Sequence, residues 1–399
     1  MRARKGWAAV FAALVMTAVQ AANLSVTDVK IAQRYPWNGL VDITYTVNCD
    51  DPNKDVWVYP VGYDADKDVS VALMPQYLSG AGASNAVHNG THQMTWDMAK
   101  QMGKDYNRAA FSVKLHAYCD AAPYMVIDLS AGSEAEKYPV SYLSEIPEGG
   151  WTDEPYKTTK MVFRLILPGT FMMGSPEDEE GRGSLWNYNV CYGGPETLHR
   201  VSLTKPFYCA IFELSCAQIA RVLGGAESGQ YAKTLAYNDI RGNLLGAQWP
   251  LHQQVDADSL TGKLRLRTGI TIDLPTEAQW EYACRAGSQA AYNNNSNIQP
   301  AANIPNAWGL YGMHESPAEW CVDWFKWDIV KDVVDPIGGE SGSLRVVRGG
   351  GAWYHDEKYQ ERRSAARFFI SEGGKDRMIN APWATDVACA RLVALPVCK

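Results

Sequence analysis

From Leu24 to Leu129 apolar and polar residues alternate in short runs, LSVTDVKIAQRY, LVDITYTV, DVWVYPVGYD, FSVKLHAY and YMVIDLS, separated by clusters of Asn, Asp, Gly and Pro. Alternation with period two turns one side of each run toward a core and the other toward water. Turns at this spacing join neighbours antiparallel, so residues 23–130 are expected to form an antiparallel β-sandwich. Residues 131–160 lose the periodicity, carry Gly, Pro and acidic side chains, and read as an interdomain linker.

The pattern changes near Met161, where Trp, Gly and Arg crowd the chain and regular segments become few. Two helices still stand out. In DLPTEAQWEYACRAGS, Thr276 and Gln279 have the spacing of a capping box, Glu277 suits the first turn and Gly287 supplies a stop. In SCAQIARVLGG, Ser215 can cap while Ile219, Val222 and Leu223 recur at helical spacing.

At 399 residues the chain is long enough for two or three domains with ample core. Arg2, Arg4 and Lys5 precede an apolar run from Gly6 to Ala18 and then small residues, which is the pattern of a signal peptide over residues 1–22. The run is shorter than the ~20 residues a membrane span needs, so export to a periplasmic, secreted or cell-surface location is expected, with no span in the mature chain. A net charge of -7 without a basic block after residue 5 argues against nucleic acid as a partner.

Export would permit disulfides among the nine cysteines. Cys49 and Cys119 end strand-like runs and are expected to bridge; the other seven, Cys191, Cys209, Cys216, Cys284, Cys321, Cys389 and Cys398, form an odd set without CxxC. His88 and His92 in HNGTH would share a metal on a helix, but Gly90 makes a turn the better reading. The carboxylates at 177–180 read as a solvated loop, and no GxSxG, HExxH or GxxxxGK[ST] motif occurs.

Five segments in order, MVFRLILPGTFMMGSPEDE, HRVSLTKPFYCAIFELSCAQ, LPTEAQWEYACRAG, NAWGLYGMHESPAEWCVDWF and RVVRGGGAWYH with RRSAAR beyond it, resemble the formylglycine-generating enzyme (sulfatase-modifying factor) family over residues 161–399. The resemblance implies an α+β C-type-lectin-like domain with little regular structure, and structural calcium. It also implies an oxidase that converts a sulfatase cysteine to formylglycine with oxygen and a copper ion held by two cysteines.

Aligned on Gly349 and Gly350, with Gly351 at the serine position, the two copper cysteine positions are Tyr354 and Tyr359. Copper(I) selects soft thiolate or thioether ligands, and phenol oxygens do not replace them. Copper is therefore not expected, and rescue by Cys321 would need a second thiol from elsewhere. The family's Gly-Asn calcium motif is replaced by Glu315, Ser316 and Pro317, leaving Glu319 as the one retained carboxylate for calcium.

The resulting expectation is a catalytically degenerate binding module, with Trp320, Trp353, Tyr354, His355 and Tyr359 facing a glycan or peptide. Gly349, Gly350, Arg363 and Arg367 are assigned structural roles, with Arg362, Arg363 and Arg367 expected to pair with acidic residues such as Glu319 or Asp323. The competing reading is a formylglycine-generating oxidase or related oxidoreductase with a rearranged site. Relatives that join sulfur to histidine derivatives use an iron-binding histidine cluster in a helical domain, which the alternating amino-terminal half does not provide.

Overall fold

The computed structural model describes residues 23–34, 38–103, 111–182, 195–225, 244–246, 255–294, 304–314, 317–350, 362–371 and 388–396. Seven strands build the amino-terminal part: β1 (Leu24–Gln33), β2 (Leu40–Cys49), β3 (Val56–Asp64), β4 (Val69–Ala72), β5 (Leu78–Gly80), β6 (Gly90–Asp97) and β7 (Phe111–Cys119), with a short helix α1 (Met98–Met102) after β6. They form two antiparallel sheets, ordered β1-β2-β6-β5 and β4-β3-β7. The alternation seen in the sequence has its expected cause: Val41, Ile43, Tyr45 and Val47 of β2 point inward with Met94 and Trp96 of β6, against Val56 and Val58 of the other sheet.

His92 lies on β6 and not on a helix. Its Nε2 approaches the His88 carbonyl at 2.7 Å and His88 Nδ1 approaches the Lys54 carbonyl at 3.2 Å, so both rings are spent on backbone oxygens. Cys49 and Cys119 end β2 and β7 on facing sheets. They are hydrogen-bonded thiols here, and the expected bridge is not formed.

The second part starts earlier than the linker reading placed it. Strand β8 (Tyr124–Asp128) pairs with β9 (Val140–Leu143) on one side and β10 (Lys160–Ile166) on the other, so residues expected as sandwich edge and linker are built into a new sheet. Tyr138 and Trp151, both 3% exposed, are core residues of that segment, and Arg267 donates to the Tyr138 hydroxyl at 2.7 Å. The continuous apolar run YMVID marks this: alternate residues of β8 and β10 serve cores on opposite faces. Met125, Ile127, Phe163 and Leu165 lie on one face, and Val126, Val162 and Ile166 on the other.

A four-residue helix α2 (Pro155–Thr158) precedes β10, and β11 (Gly169–Met173), β12 (His199–Leu203) and β13 (Phe207–Ala210) follow it. Three helices are longer: α3 (Cys216–Leu223), α4 (Leu260–Thr268) and α5 (Glu277–Arg285). The remaining strands are short: β14 (Ile272–Asp273), β15 (Ala318–Trp324), β16 (Val333–Val334), β17 (Leu344–Arg348), β18 (Arg367–Ser371), β19 (Ala388–Cys389) and β20 (Val393–Ala394). They complete a six-stranded sheet, β14-β20-β13-β10-β8-β9, a four-stranded sheet, β18-β17-β15-β19, and a three-stranded sheet, β11-β12-β16. The two parts touch through Thr170 N, which donates to Ser70 Oγ at 2.9 Å, and Tyr59, whose hydroxyl donates to the Ala121 carbonyl at 2.6 Å.

Both expected helix starts are present. Thr276 and Gln279 cap α5 reciprocally, and Ser215 does the same with Gln218 on α3. The α5 stop differs in detail, because Ala286 itself takes the left-handed conformation at φ 47° before Gly287. Thr276→Ala leaves the Gln279 amide without its acceptor and is expected to cost about 1 kcal/mol, read as a lowered Tm by calorimetry. Thr276→Ser, which keeps the hydroxyl, should restore most of it.

Candidate functional site

Strands β17 and β18 pair antiparallel, with Arg348 opposite Arg367, and bring the two ends of the segment holding the aromatic candidates side by side. Trp353, Tyr354, His355 and Tyr359 lie outside the described residues, as does Gly351. Gly349 has φ +86°, a conformation that favours glycine, and a Cβ there would sit in a tight 3.2 Å contact with Trp280 Cζ2. Gly350 is buried beside it.

Arg363 and Arg367 do pair with acidic residues, but with others than Glu319 or Asp323. Arg363 makes a two-pronged contact with Glu196, Nη1 and Nη2 each donating at 2.8 Å, and its Nη1 also reaches Glu179 at 2.6 Å. Glu179 thus leaves the solvated loop in which the sequence reading placed it. Arg367 clamps Glu277, with Nε and Nη2 donating at 2.5 and 2.8 Å. Arg348 donates to Glu281, which also accepts from Arg285 Nε and Gly174 N, both at 2.8 Å.

Burial would raise the Glu277 carboxyl, but Arg367 and Arg348 outweigh it and hold the group below its usual range. Glu277 and Glu281 stand one turn apart on α5, a spacing usually read as a charged outer face. Here that face looks into the arginines. The usable signal was the surplus of basic residues in the RRSAAR stretch, which need buried carboxylates somewhere in the chain.

Glu319 is committed to an internal cation. Arg391 Nε donates to its two oxygens at 3.0 and 2.9 Å and Nη2 to Oε1 at 2.6 Å, while Trp280 Nε1 donates to Oε2 at 2.7 Å. Arg391 also donates to the Ala210 carbonyl at 3.0 Å and the Tyr311 carbonyl at 2.8 Å, with Glu213 at 3.7 Å. Glu213, Glu319 and Cys389 do bring three ligand atoms within 4.8 Å of one another. A guanidinium already takes the two carboxylates and two carbonyls that a calcium ion would use, so Glu319 does not fit the calcium role the resemblance implied.

Trp320 is 1% exposed and packs in the main core, which leaves it no ring face for a ligand. Cys321 is fully buried next to it, and burial followed by the charges of Asp323 and Glu277 pushes its thiol well above the usual range. It is therefore a poor donor of the thiolate that copper needs. Cys284 lies 3.7 and 3.9 Å from the two ring nitrogens of His314, a Cys-His proximity that the sequence reading did not contain. Both distances are long, and the lone pair of neither nitrogen is committed to the sulfur, because each nitrogen bonds a backbone group. His314 Nδ1–H donates to the Arg362 carbonyl at 2.7 Å, and Nε2 accepts from Asn293 N at 3.1 Å. Burial moves the histidine down to about 4 and the thiol up to about 12, so both are neutral and the pair is packing.

Residues 151–305 match the family described as the sulfatase-modifying factor enzyme 1-like domain. This stretch of the chain is a sulfatase-modifying factor domain. Among curated proteins it resembles the formylglycine-generating enzyme of Thermomonospora curvata, 31% identical over 129 residues that make up 24% of this chain and 43% of that enzyme. The serine/threonine-protein kinase pkn1 of Chlamydia caviae is 35% identical over 219 residues, 48% of this chain and 33% of that protein. The chain thus spans less than half the length of these relatives. Among solved structures, PvdO from Pseudomonas aeruginosa is 19% identical with a TM-score of 0.42, covering 59% of this chain and 94% of PvdO. The matched range carries the α5 carboxylates and one of their arginines, Arg285, while Arg348 and Arg367 come from residues beyond it.

Proposed function

We propose that the protein is an exported binding module in which a sulfatase-modifying factor domain of C-type-lectin-like type has lost copper-dependent oxidation. The observation that carries this reading is the pair Tyr354 and Tyr359 at the two copper cysteine positions. Two phenols supply no soft thiolate for copper(I), and Cys321, whose thiol burial keeps protonated, supplies no substitute. Trp353, Tyr354, His355 and Tyr359 then form the ligand-facing segment, with a glycan or peptide as its partner.

Export would place Cys49 and Cys119 in an oxidising compartment, where exchange with an external disulfide, itself reduced to two thiols, would join two thiols that already hydrogen-bond. The competing reading, a formylglycine-generating oxidase, is favoured by the names of the relatives alone. Copper(I) titration of the reduced protein, followed by oxygen-dependent turnover of a cysteine-bearing sulfatase peptide, separates the two. No stoichiometric copper and no aldehyde are expected, together with retention on a glycan or peptide array that Tyr354→Ala weakens at least tenfold. Tight copper with aldehyde formation would overturn the binding-module reading.

A further inference from the structure

A cavity of about 330 Å³ opens between the end of β11, the start of β12, the first turn of α5 and the loop running from β15 through β16 to Gly339. This volume is at the small end of ordinary ligand pockets. Its outer wall is apolar, with Val330 at 69% and Ile337 at 37% exposure on the solvent side and Trp324, Val333 and Met173 farther in. Its floor is polar and buried: His199 at 8% and Asp323 at 3% exposure.

The donor and acceptor balance of that floor selects the ligand. Arg367, which also lines the cavity, has its donors committed to Glu277 and to the Pro195 and Lys326 carbonyls. Lys326 at the rim turns its Nζ to the Ser341 carbonyl at 2.8 Å. His199 Nδ1–H donates to the Thr197 carbonyl at 2.7 Å, so in the neutral ring Nε2 is an acceptor with no hydrogen-bond partner among the described residues, while the Glu277 carboxylate interacts with the ring electrostatically. Asp323 accepts one bond, from Glu277 N at 2.7 Å. The wall supplies apolar contact and, among the described residues, the floor offers the acceptors His199 Nε2 and Asp323, while the uncommitted N–H donors of Lys326 Nζ stand at the rim.

We infer that this cavity is a binding site for a primary ammonium group on a short apolar stem, with His199 Nε2 and Asp323 receiving its N–H donors and Val330, Val333 and Ile337 covering the stem. A free amine and a lysine side chain of a peptide share this chemistry. The site does not depend on the binding-module reading, because its residues are distinct from Trp353, Tyr354, His355 and Tyr359.

Proton linkage gives the inference a signature. Burial, then the charge of Glu277, raises the Asp323 carboxyl to about 7, against opposing contributions from its bond to Glu277 N and from Arg367 and Arg345. The groups facing it are therefore Glu277 on α5, Arg367 on β18, Arg345 on β17 and Cys321 on its own strand. An ammonium ion favours the ionised carboxyl, so below pH 7 binding must release a proton. Affinity rises up to about tenfold per pH unit toward pH 7 and levels above it.

Calorimetric titration of the full chain with phenethylamine and with N-acetyl-lysine methylamide tests this, with phenethyl alcohol as the neutral control. Saturable binding of either amine is expected, stronger at pH 8 than at pH 6 by about tenfold, with the alcohol at least about tenfold weaker; which amine binds better identifies the source. His199→Ala should weaken binding about tenfold. Val330→Lys, at an exposed position where folding is not at risk, should weaken it severalfold by placing a like charge at the mouth. Equal binding of the alcohol, a flat pH profile, no saturable heat, or indifference to Val330→Lys would each overturn the assignment.

Discussion

Arg391→Met is expected to destabilise the protein by about 3–5 kcal/mol, because it removes one partner from a fully buried ion pair and leaves the other uncompensated. Arg391 is 0% exposed and Glu319 is 1% exposed. After the substitution, Glu319 would keep only the Trp280 Nε1 bond, and the Ala210 and Tyr311 carbonyls would lose their donor. Unfolding in urea should show the loss as a lower midpoint with an unchanged slope. The double variant Arg391→Met with Glu319→Gln removes the orphaned charge and should recover part of the loss. If Arg391→Met cost less than about 1 kcal/mol, Glu319 would have found another cation, and its availability for calcium would be open again.

The second large effect is expected at Trp320. Trp320→Ala should cost about 3–5 kcal/mol through lost apolar contact and the cavity left behind. Trp320 sits at 1% exposure among the core residues of β15 and its neighbours. Trp327, at 47% exposure and packed against Phe325 and Phe369, supplies the contrast: its alanine variant should change stability by less than about 1 kcal/mol. Equal and small losses for both would return Trp320 to the list of ligand-facing residues. The comparison separates a core role from a binding role without requiring the ligand to be known.

Local features were legible from the chain. The alternating runs of β2, β3 and β6 became strands with alternate residues inward, and the Thr276-to-Gln279 spacing became a reciprocal cap. Each of these is decided within a few residues, by side-chain period or by a bond three positions away. The run YMVIDLS was legible as a strand but not as a strand of the second domain, because the continuous apolar pattern does not say which sheet will cover both faces. The polar stretch before Lys160 read as linker for a related reason: its core contacts are single side chains, Tyr138 and Trp151, spaced without a period.

The partners of the charged residues were not legible. The arginine surplus near residue 363 called for carboxylates, yet Glu319 and Asp323 were the wrong ones. Arg363 meets Glu196 at a separation of 167 residues, Arg367 meets Glu277 at 90, and Arg391 meets Glu319 at 72. A pairing over such distances is set by which strands lie side by side, and no local period encodes it. His199 escaped notice for the same reason, and Asp323 was noticed only as an arginine partner, since each is an ordinary residue in a strand until the fold places both on one cavity.

The sequence by itself determined the strand-rich amino-terminal part, the capped helices and the sulfatase-modifying factor domain, because residue identity and short-range spacing suffice for these. Only the tertiary structure decided that Trp320 is core, that a guanidinium takes the carboxylate left for calcium, and that His199 and Asp323 share a cavity. Burial and long-range ion pairing depend on how sheets and helices stack, and that is a property of the whole fold.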